Sequence, residues 1–141
     1  MARVKLDLPE RFLFSTEIQL RASDINYGGH LGNDAVLSIA QEARIHFLRA
    51  HGWSEHNVAG VGIIMTDAVV VYRAEAFLGD TLVIDVAVAE IERVGCDFLF
   101  RMVNKVSGKE IAQVKTGIAF FDYTLRKPVP VPAEFRNVCG V

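Results

Sequence analysis

Apolar and polar residues alternate with a period of two along most of the chain, and one segment follows a helical period instead. Residues 16–22 alternate strictly, which predicts a half-buried strand. From Asn33 or Asp34 to Ala50 the apolar positions share one broad arc, which predicts a long helix that ends before Gly52. After this helix only strand patterns follow, at residues 63–73, 81–92, 96–104 and 110–122.

The order of these elements predicts the fold class. One strand, one long helix and four long strands joined mainly by tight turns are typical of an α+β fold, with the helix on one face of an antiparallel sheet. The tail, residues 126–141, carries Pro128, Pro130 and Pro132, which favours an extended course on the surface. A chain of 141 residues corresponds to a single domain, 1–141.

Composition narrows the function classes. The chain is 51% apolar with a net charge of −2, which favours a packed core and disfavours a nucleic-acid partner. Cys96 and Cys139 share no motif, so neither a disulfide framework nor a metal site is expected. No apolar run predicts a signal peptide or a membrane span, and we expect a cytoplasmic protein.

Polar residues converge between the first strand and the helix. If the strand stays extended, Asp24 and Asn26 fall on the same interior side as Ile18 and Leu20. A buried carboxylate is costly without partners, so Asp24 must find hydrogen-bond donors or lie beside a cavity. The glycine pair at 28–29 permits a sharp turn and close approach of another group to the backbone.

Two blocks of the chain carry a family resemblance. Residues 24–33 read Asp-Ile-Asn-Tyr-Gly-Gly-His-Leu-Gly-Asn, residues 41–44 read Gln-Glu-Ala-Arg, and residues 71–82 read Val-Tyr-Arg-Ala-Glu-Ala-Phe-Leu-Gly-Asp-Thr-Leu. In this order they resemble the hot-dog thioesterases of the 4-hydroxybenzoyl-CoA type. The resemblance implies a hot-dog fold, with an antiparallel sheet of about five long strands wrapped around one long central helix. It also implies dimers whose active sites lie at the subunit interface.

The resemblance implies an acyl-CoA thioesterase that needs no cofactor and no metal. The catalytic candidates are Asp24, Asn26 and His30. The candidates for substrate binding are Tyr27, Gly28, Gly29, Leu31, Gly32, Asn33 and Asp67. Backbone amides at residues 31–33, at the start of the helix, are expected to polarise the thioester carbonyl. The expected partners are an acyl-CoA or acyl-carrier substrate and a second copy of the chain, as a dimer or a tetramer.

Position 26 departs from the family pattern. The family places an acidic residue there, and an amide cannot serve as a base or a carboxylate nucleophile. The missing carboxylate is supplied by Asp24, by Glu42 or by Asp67, or else the protein binds thioesters with little turnover. Glu75 replaces a usual proline and reads as a tolerated change at the edge of the sheet.

Each candidate residue also has a purely structural interpretation. Asp24 and Asn26 fit turn residues that accept backbone N–H groups, and His30 fits a donor that closes a loop. Asp67 fits a charged residue at a sheet edge. Two other functions therefore stay open beside the thioesterase. One is a non-catalytic thioester-binding protein, and the other is a hot-dog dehydratase or hydratase that pairs His30 with an acidic residue.

Overall fold

The computed structural model describes residues 2–141. Its helices and strands are β1 (Phe14–Gln19), α1 (Ala35–Ala50), β2 (Gly62–Tyr72), β3 (Thr81–Ala89), β4 (Gly95–Asn104), β5 (Glu110–Asp122), β6 (Lys127–Pro128) and α2 (Ala133–Val138). The predicted α+β class and the predicted long helix are confirmed. No helix within residues 2–141 is both long and apolar enough to cross a bilayer.

All five long strands join one antiparallel sheet in the order β1-β3-β4-β5-β2. Strands β3, β4 and β5 form the predicted meander. Strand β2 does not continue it, because the connection 73–80 carries the chain across the sheet to β3, which lies between β1 and β4, and β2 pairs with β5 instead. Strands β1 and β2 are therefore the two edges.

Helix α1 lies against one face of this sheet. Ala40 and Ala43 are fully buried, and their small side chains let the helix approach the strands closely. The ring of Phe47 meets Phe14 on β1 and Phe98 on β4 edge to face, each at 5.8 Å between ring centroids. These contacts fix the helix across the sheet, and with it the loop from which the helix starts.

One charged residue of α1 is buried. The Arg44 side chain donates from Nε to Glu55 Oε2 at 3.0 Å and from Nη1 to Thr116 Oγ1 at 3.3 Å. Only 5% of Arg44 is exposed, so these partners offset the loss of its hydration. The pair ties the helix to the loop before β2 and to β5.

The prediction that the tail, residues 126–141, is extended is wrong from residue 133 onward. Residues 133–138 form the helix α2, and Phe135 on it is fully buried, with its ring 5.0 Å from that of Phe120. Pro132 directly precedes the helix, where a fixed φ and a missing N–H cost nothing. The prolines end the strand pattern, but they do not keep an apolar side chain out of the core.

Candidate active site

A cavity of about 740 Å³ lies between the β1–α1 loop and the end of β2. Its walls come from residues 26–34 on one side and 72–75 on the other. The two sides are joined by Leu31 N–H, which donates to Ala76 O at 2.7 Å, and by Tyr72 Oη, which donates to Asn33 O at 2.8 Å. The volume is in the range of small-molecule sites.

Asp24 shapes the corner that leads into this cavity. Strand β1 ends at Gln19, and residues 22–24 form a single 3-10 turn, so the chain is not extended as far as Asp24 and Asn26, contrary to the expectation from the alternating pattern. Asp24 is nevertheless buried, with 6% exposed. Its Oδ2 accepts a hydrogen bond from Arg21 N at 2.8 Å, and its carbonyl accepts one from Gly32 N at 2.9 Å. The carboxylate lies outside the cavity lining.

Asn26 lines the cavity and forms an Asx-turn at the same time. Its Oδ1 accepts a hydrogen bond from Gly28 N at 2.9 Å. Because a backbone N–H can only donate, this bond fixes which amide atom is the oxygen. The Nδ2 group finds no acceptor among residues 2–141 and is available to a ligand in the cavity.

Gly28 lets Asn26 and His30 come together. A Cβ at this position would lie 3.2 Å from Asn26 Oδ1 and 3.4 Å from His30 Nε2, so a larger residue would push both side chains. The neighbouring Gly29 has a φ of 85°, which favours glycine and turns the chain back toward the helix. Both glycines serve the geometry of the corner.

His30 is oriented by its neighbours. Its Nδ1 lies 3.4 Å from Leu31 O, and since a carbonyl only accepts, this contact favours the proton on Nδ1. Nε2 then carries the lone pair and lies 4.0 Å from Glu75 Oε1. A neutral histidine with this arrangement presents a base to the cavity.

The predicted amides at the helix start are only partly free. Leu31 N–H donates to the carbonyl of Ala76, and Gly32 N–H donates to that of Asp24. Asn33 N–H has no hydrogen-bond acceptor within residues 2–141, so this amide can donate to a ligand. Asn33 lies directly before the N-cap residue of α1, where the helix dipole favours negative charge.

The predicted candidates do not all come together. Residues 26–33 share the loop beside the cavity, where the Tyr27 side chain is fully exposed at the rim. Asp67 lies apart, on the edge strand β2, and its carboxylate accepts from Lys115 Nζ at 2.8 Å and from Gly117 N at 3.1 Å. The hydrogen bond from Lys115 lowers the pKa of Asp67 below its ordinary value.

Sequence reasoning missed the wall formed by residues 72–75. The sequence favours a tolerated edge change at Glu75, yet Glu75 Oε1 lies 4.0 Å from His30 Nε2. The signal was present in the second motif block, where a charged residue stands in place of a proline immediately after a long strand. Glu42, another proposed source of the carboxylate, lies on α1 with its Oε2 3.9 Å from His46 Nε2, and it is absent from the cavity lining.

Comparison with known proteins bears on the family and on the fold. A family model described as the thioesterase-like superfamily matches residues 20–138. No curated protein sequence matches the chain.

Several solved structures share the fold. A 1,4-dihydroxy-2-naphthoyl-CoA thioesterase from Synechocystis is 19% identical, covers 90% of this chain and 95% of its own, and gives a TM-score of 0.82. A thioesterase superfamily protein from Jannaschia sp. CCS1 is 18% identical, with coverages of 94% and 87% and a TM-score of 0.80. A Pseudomonas aeruginosa PAO1 protein is 18% identical, with coverages of 93% and 92% and a TM-score of 0.83. At these identities the likeness confirms the hot-dog fold alone.

Proposed function

Because the chain belongs to the thioesterase-like superfamily, we propose that it is an acyl-CoA thioesterase, which hydrolyses an acyl thioester to a free acid and the coenzyme A thiol. The observation that carries the proposal is the meeting of Asn26 and His30 across Gly28 on one wall of the cavity. Two hydrogen-bond donors and a base then face the same volume. The thioesterase named among the similar structures acts on a CoA thioester, which supports CoA as the carrier.

The site residues divide the chemistry between them. Asn26 Nδ2 and Asn33 N–H donate to the thioester oxygen and stabilise the negative charge that develops on it. His30 Nε2 accepts the proton of the attacking water. Tyr27, exposed at the rim, offers an aromatic face to the carrier arm. Leu31 lines the cavity, and Gly28, Gly29 and Gly32 shape the loop that carries Asn26 and His30.

Asp24 enters the proposal as a positioning residue. Its oxygens hold Arg21 and Gly32 and so shape the loop that carries Asn26. This role predicts that Asp24→Asn, which keeps an acceptor oxygen, retains most of the activity, whereas Asp24→Ala loses it together with thermal stability. If Asp24→Asn abolishes turnover without a change in Tm, Asp24 is the base predicted from the sequence.

Thiol release from a panel of acyl-CoA substrates tests the proposed function. We expect hydrolysis by the wild type, and loss of hydrolysis in His30→Ala with an unchanged circular dichroism spectrum. An exposed residue far from the cavity, Glu134→Gln on α2, is the matched control and should behave as the wild type. Absence of hydrolysis of every substrate by the wild type would overturn the proposal.

Two observations favour rival functions on the same site. The amide at position 26 favours binding without turnover, which calorimetry would reveal as acyl-CoA binding with no thiol released. The proximity of His30 and Glu75 favours a hydratase or dehydratase. A hydration assay on an enoyl-CoA, run beside the thiol-release assay, separates that reaction from hydrolysis.

The proposal includes a homodimer formed through β2. This edge strand is eleven residues long, its far side is unpaired within residues 2–141, and Met65 and Tyr72 on it are each 52% exposed. An antiparallel pairing of two copies of β2 would satisfy the free backbone groups. It would also bring the start of one β2 beside the end of the other, where the cavity lies.

The dimer is tested by sedimentation equilibrium. Ala68 is exposed near the middle of β2, so Ala68→Asp places two like charges close together in the dimer and should yield monomers. Ala68→Ser is the matched control and should remain dimeric. A wild type that sediments as a monomer contradicts the proposal, and a tetramer requires a second interface.

A cytoplasmic location, which suits the free thiols of Cys96 and Cys139, is also proposed.

A further inference from the structure

We propose that Glu75 is the carboxylate that position 26 lacks, and that it acts by pairing with His30. This inference rests on the proposed function, since it assigns a residue to the same hydrolytic reaction. It is carried by the placement of the two side chains on facing walls of the cavity, with Glu75 Oε1 4.0 Å from His30 Nε2.

The backbone holds this pair in register. Leu31 N–H donates to Ala76 O at 2.7 Å, and Ala76 is fully buried. His30 directly precedes the donor residue, and Glu75 directly precedes the acceptor residue. The two side chains therefore emerge beside a short hydrogen bond that links the loop to the chain after β2. A proline at position 75 would carry no charge.

The other carboxylates near the loop are placed differently. Asp24 is occupied by Arg21 and lies outside the cavity lining. Asp67, on β2, is paired with Lys115 of β5. Asp34 lines the cavity, but it lies one residue before α1 and makes no ion pair with His30. Glu75 is thus the carboxylate that the described residues present to the imidazole.

The distance suits a role in which a water lies between the two groups. At 4.0 Å the pair is too long for a direct hydrogen bond, which spans about 2.7–3.2 Å, and one water bridges such a gap. That water is held by the Nε2 lone pair and by the Glu75 carboxylate. Both groups accept hydrogen bonds, so the water donates its two protons to them. A lone pair of its oxygen is then free to attack the substrate.

Hydrolysis then follows with balanced atoms. The water oxygen bonds to the thioester carbon as its proton passes to His30 Nε2, and the carbonyl electron pair moves to the oxygen that Asn26 Nδ2 contacts. When the intermediate collapses, the C–S bond breaks and the thiolate takes the proton from His30. Glu75 stabilises the imidazolium between these two events and is itself unchanged. The products are the carboxylic acid and the thiol.

Exposure sets the scale of the expected effect. The side chains of Glu75 and His30 are 67% and 37% exposed, and an interaction between groups this exposed contributes little to stability. We therefore expect Glu75→Gln to leave Tm close to that of the wild type. General acid–base catalysis contributes about 10²–10⁴-fold, and we expect the variant to lose about 10- to 100-fold in kcat with KM nearly unchanged.

Three variants test the inference on the full-length protein. Glu75→Gln removes the charge, Glu75→Asp keeps it on a shorter arm and should recover part of kcat, and Glu75→Ala leaves space for an added carboxylate. Acetate at increasing concentration should raise kcat of Glu75→Ala toward that of the wild type. Glu134→Gln, which is far from the cavity, should show neither the loss nor the response to acetate.

The outcomes separate this inference from the proposed function. If the wild type hydrolyses acyl-CoA and Glu75→Gln does so equally well, Glu75 is not part of the machinery, while the thioesterase proposal stands. A Glu75→Ala variant that is folded but unresponsive to acetate also overturns the inference. If the wild type hydrolyses no acyl-CoA, both proposals fail together.

Discussion

Gly28 allows Asn26 and His30 to lie close together because it has no side chain. Its missing side chain gives Asn26 Oδ1 and His30 Nε2 the room to approach the same point of backbone. Gly29 plays a different part, since nothing lies within 4 Å of its Cβ position but its φ is 85°. Two adjacent glycines therefore have separable roles, one in the site and one in the turn.

This separation predicts different losses for two matched substitutions. Gly28→Ala should lower kcat, because a methyl group displaces Asn26 and His30 by a few tenths of an ångström, and should change Tm little. Gly29→Ala should instead lower the free energy of unfolding by about 1 kcal/mol, since an L-residue is strained at positive φ. Thiol-release kinetics and chemical denaturation measure the two effects. Equal losses of activity and stability in both variants would contradict the assignment.

Asn26→Asp tests whether the amide is suited to the reaction. The hydrogen bond from Gly28 N occupies one oxygen, so an aspartate would direct its second oxygen where Nδ2 now lies. A negative charge there opposes the developing oxyanion, and we expect kcat to fall about 10²-fold or more. Asn26→Ser, which keeps a donor, should lose less. A strong rise in kcat of Asn26→Asp would show instead that the native amide limits turnover.

At the scale of elements, the site depends on how α1 and α2 are packed. Helix α1 is fixed by aromatic contacts on its apolar face and by the buried Arg44. Helix α2 is only six residues long, too short to be stable alone, and its docking depends on Phe135. The long helix therefore supports the cavity, while the short one closes the other end of the core.

Phe135→Ala should be costly although the helix that carries it is short. The ring packs against Phe120 at 5.0 Å and Trp53 at 6.0 Å and is fully buried. We expect a loss of about 3–5 kcal/mol in the free energy of unfolding, measured by denaturant titration. Phe135→Leu should lose less. An effect below about 1 kcal/mol would mean that α2 is not docked in solution.

The sequence predicted those elements whose pattern is long and regular. The helix to Ala50 and the meander of β3, β4 and β5 follow from periodicity, and the family motif located the loop that carries Asn26 and His30. The helix α2 could not be predicted from its pattern, because a segment of only six residues, directly after three closely spaced prolines, is too short to show a helical period. The partner of β2 and the approach of Glu75 to His30 depend on tertiary packing, which local spacing does not encode.

At the scale of the whole molecule, burial of the cysteines couples stability to pH. Burial raises the pKa of the Cys96 thiol from 9.0 to about 12, and that of Cys139 to about 11. The native protein therefore keeps these protons at a pH where the unfolded chain loses them. The stability that they contribute is fully present below pH 9 and declines as the pH rises toward 11 and 12.

This linkage predicts that replacing Cys96 reduces the slope of the free energy of unfolding against pH. The free energy of unfolding should fall between pH 9 and 11 for the wild type, and fall less steeply for Cys96→Ala, whatever the absolute cost of the lost sulfur. Denaturant titrations at several pH values measure both slopes. Parallel slopes would contradict the prediction.

In native protein at neutral pH, iodoacetamide should modify the half-buried Cys139 before Cys96, as mass spectrometry can follow.

The position of β2 in the sheet has a consequence during synthesis of the chain. Strand β2 ends at Tyr72, but its only strand partner within residues 2–141, β5, begins at Glu110. A largely apolar segment of eleven residues therefore leaves the ribosome unpaired. It can pair only after the residues up to and including β5 have been synthesised. During this interval it is exposed to other nascent chains, so the same strand that we propose as the dimer edge is also exposed to aggregation before folding is complete.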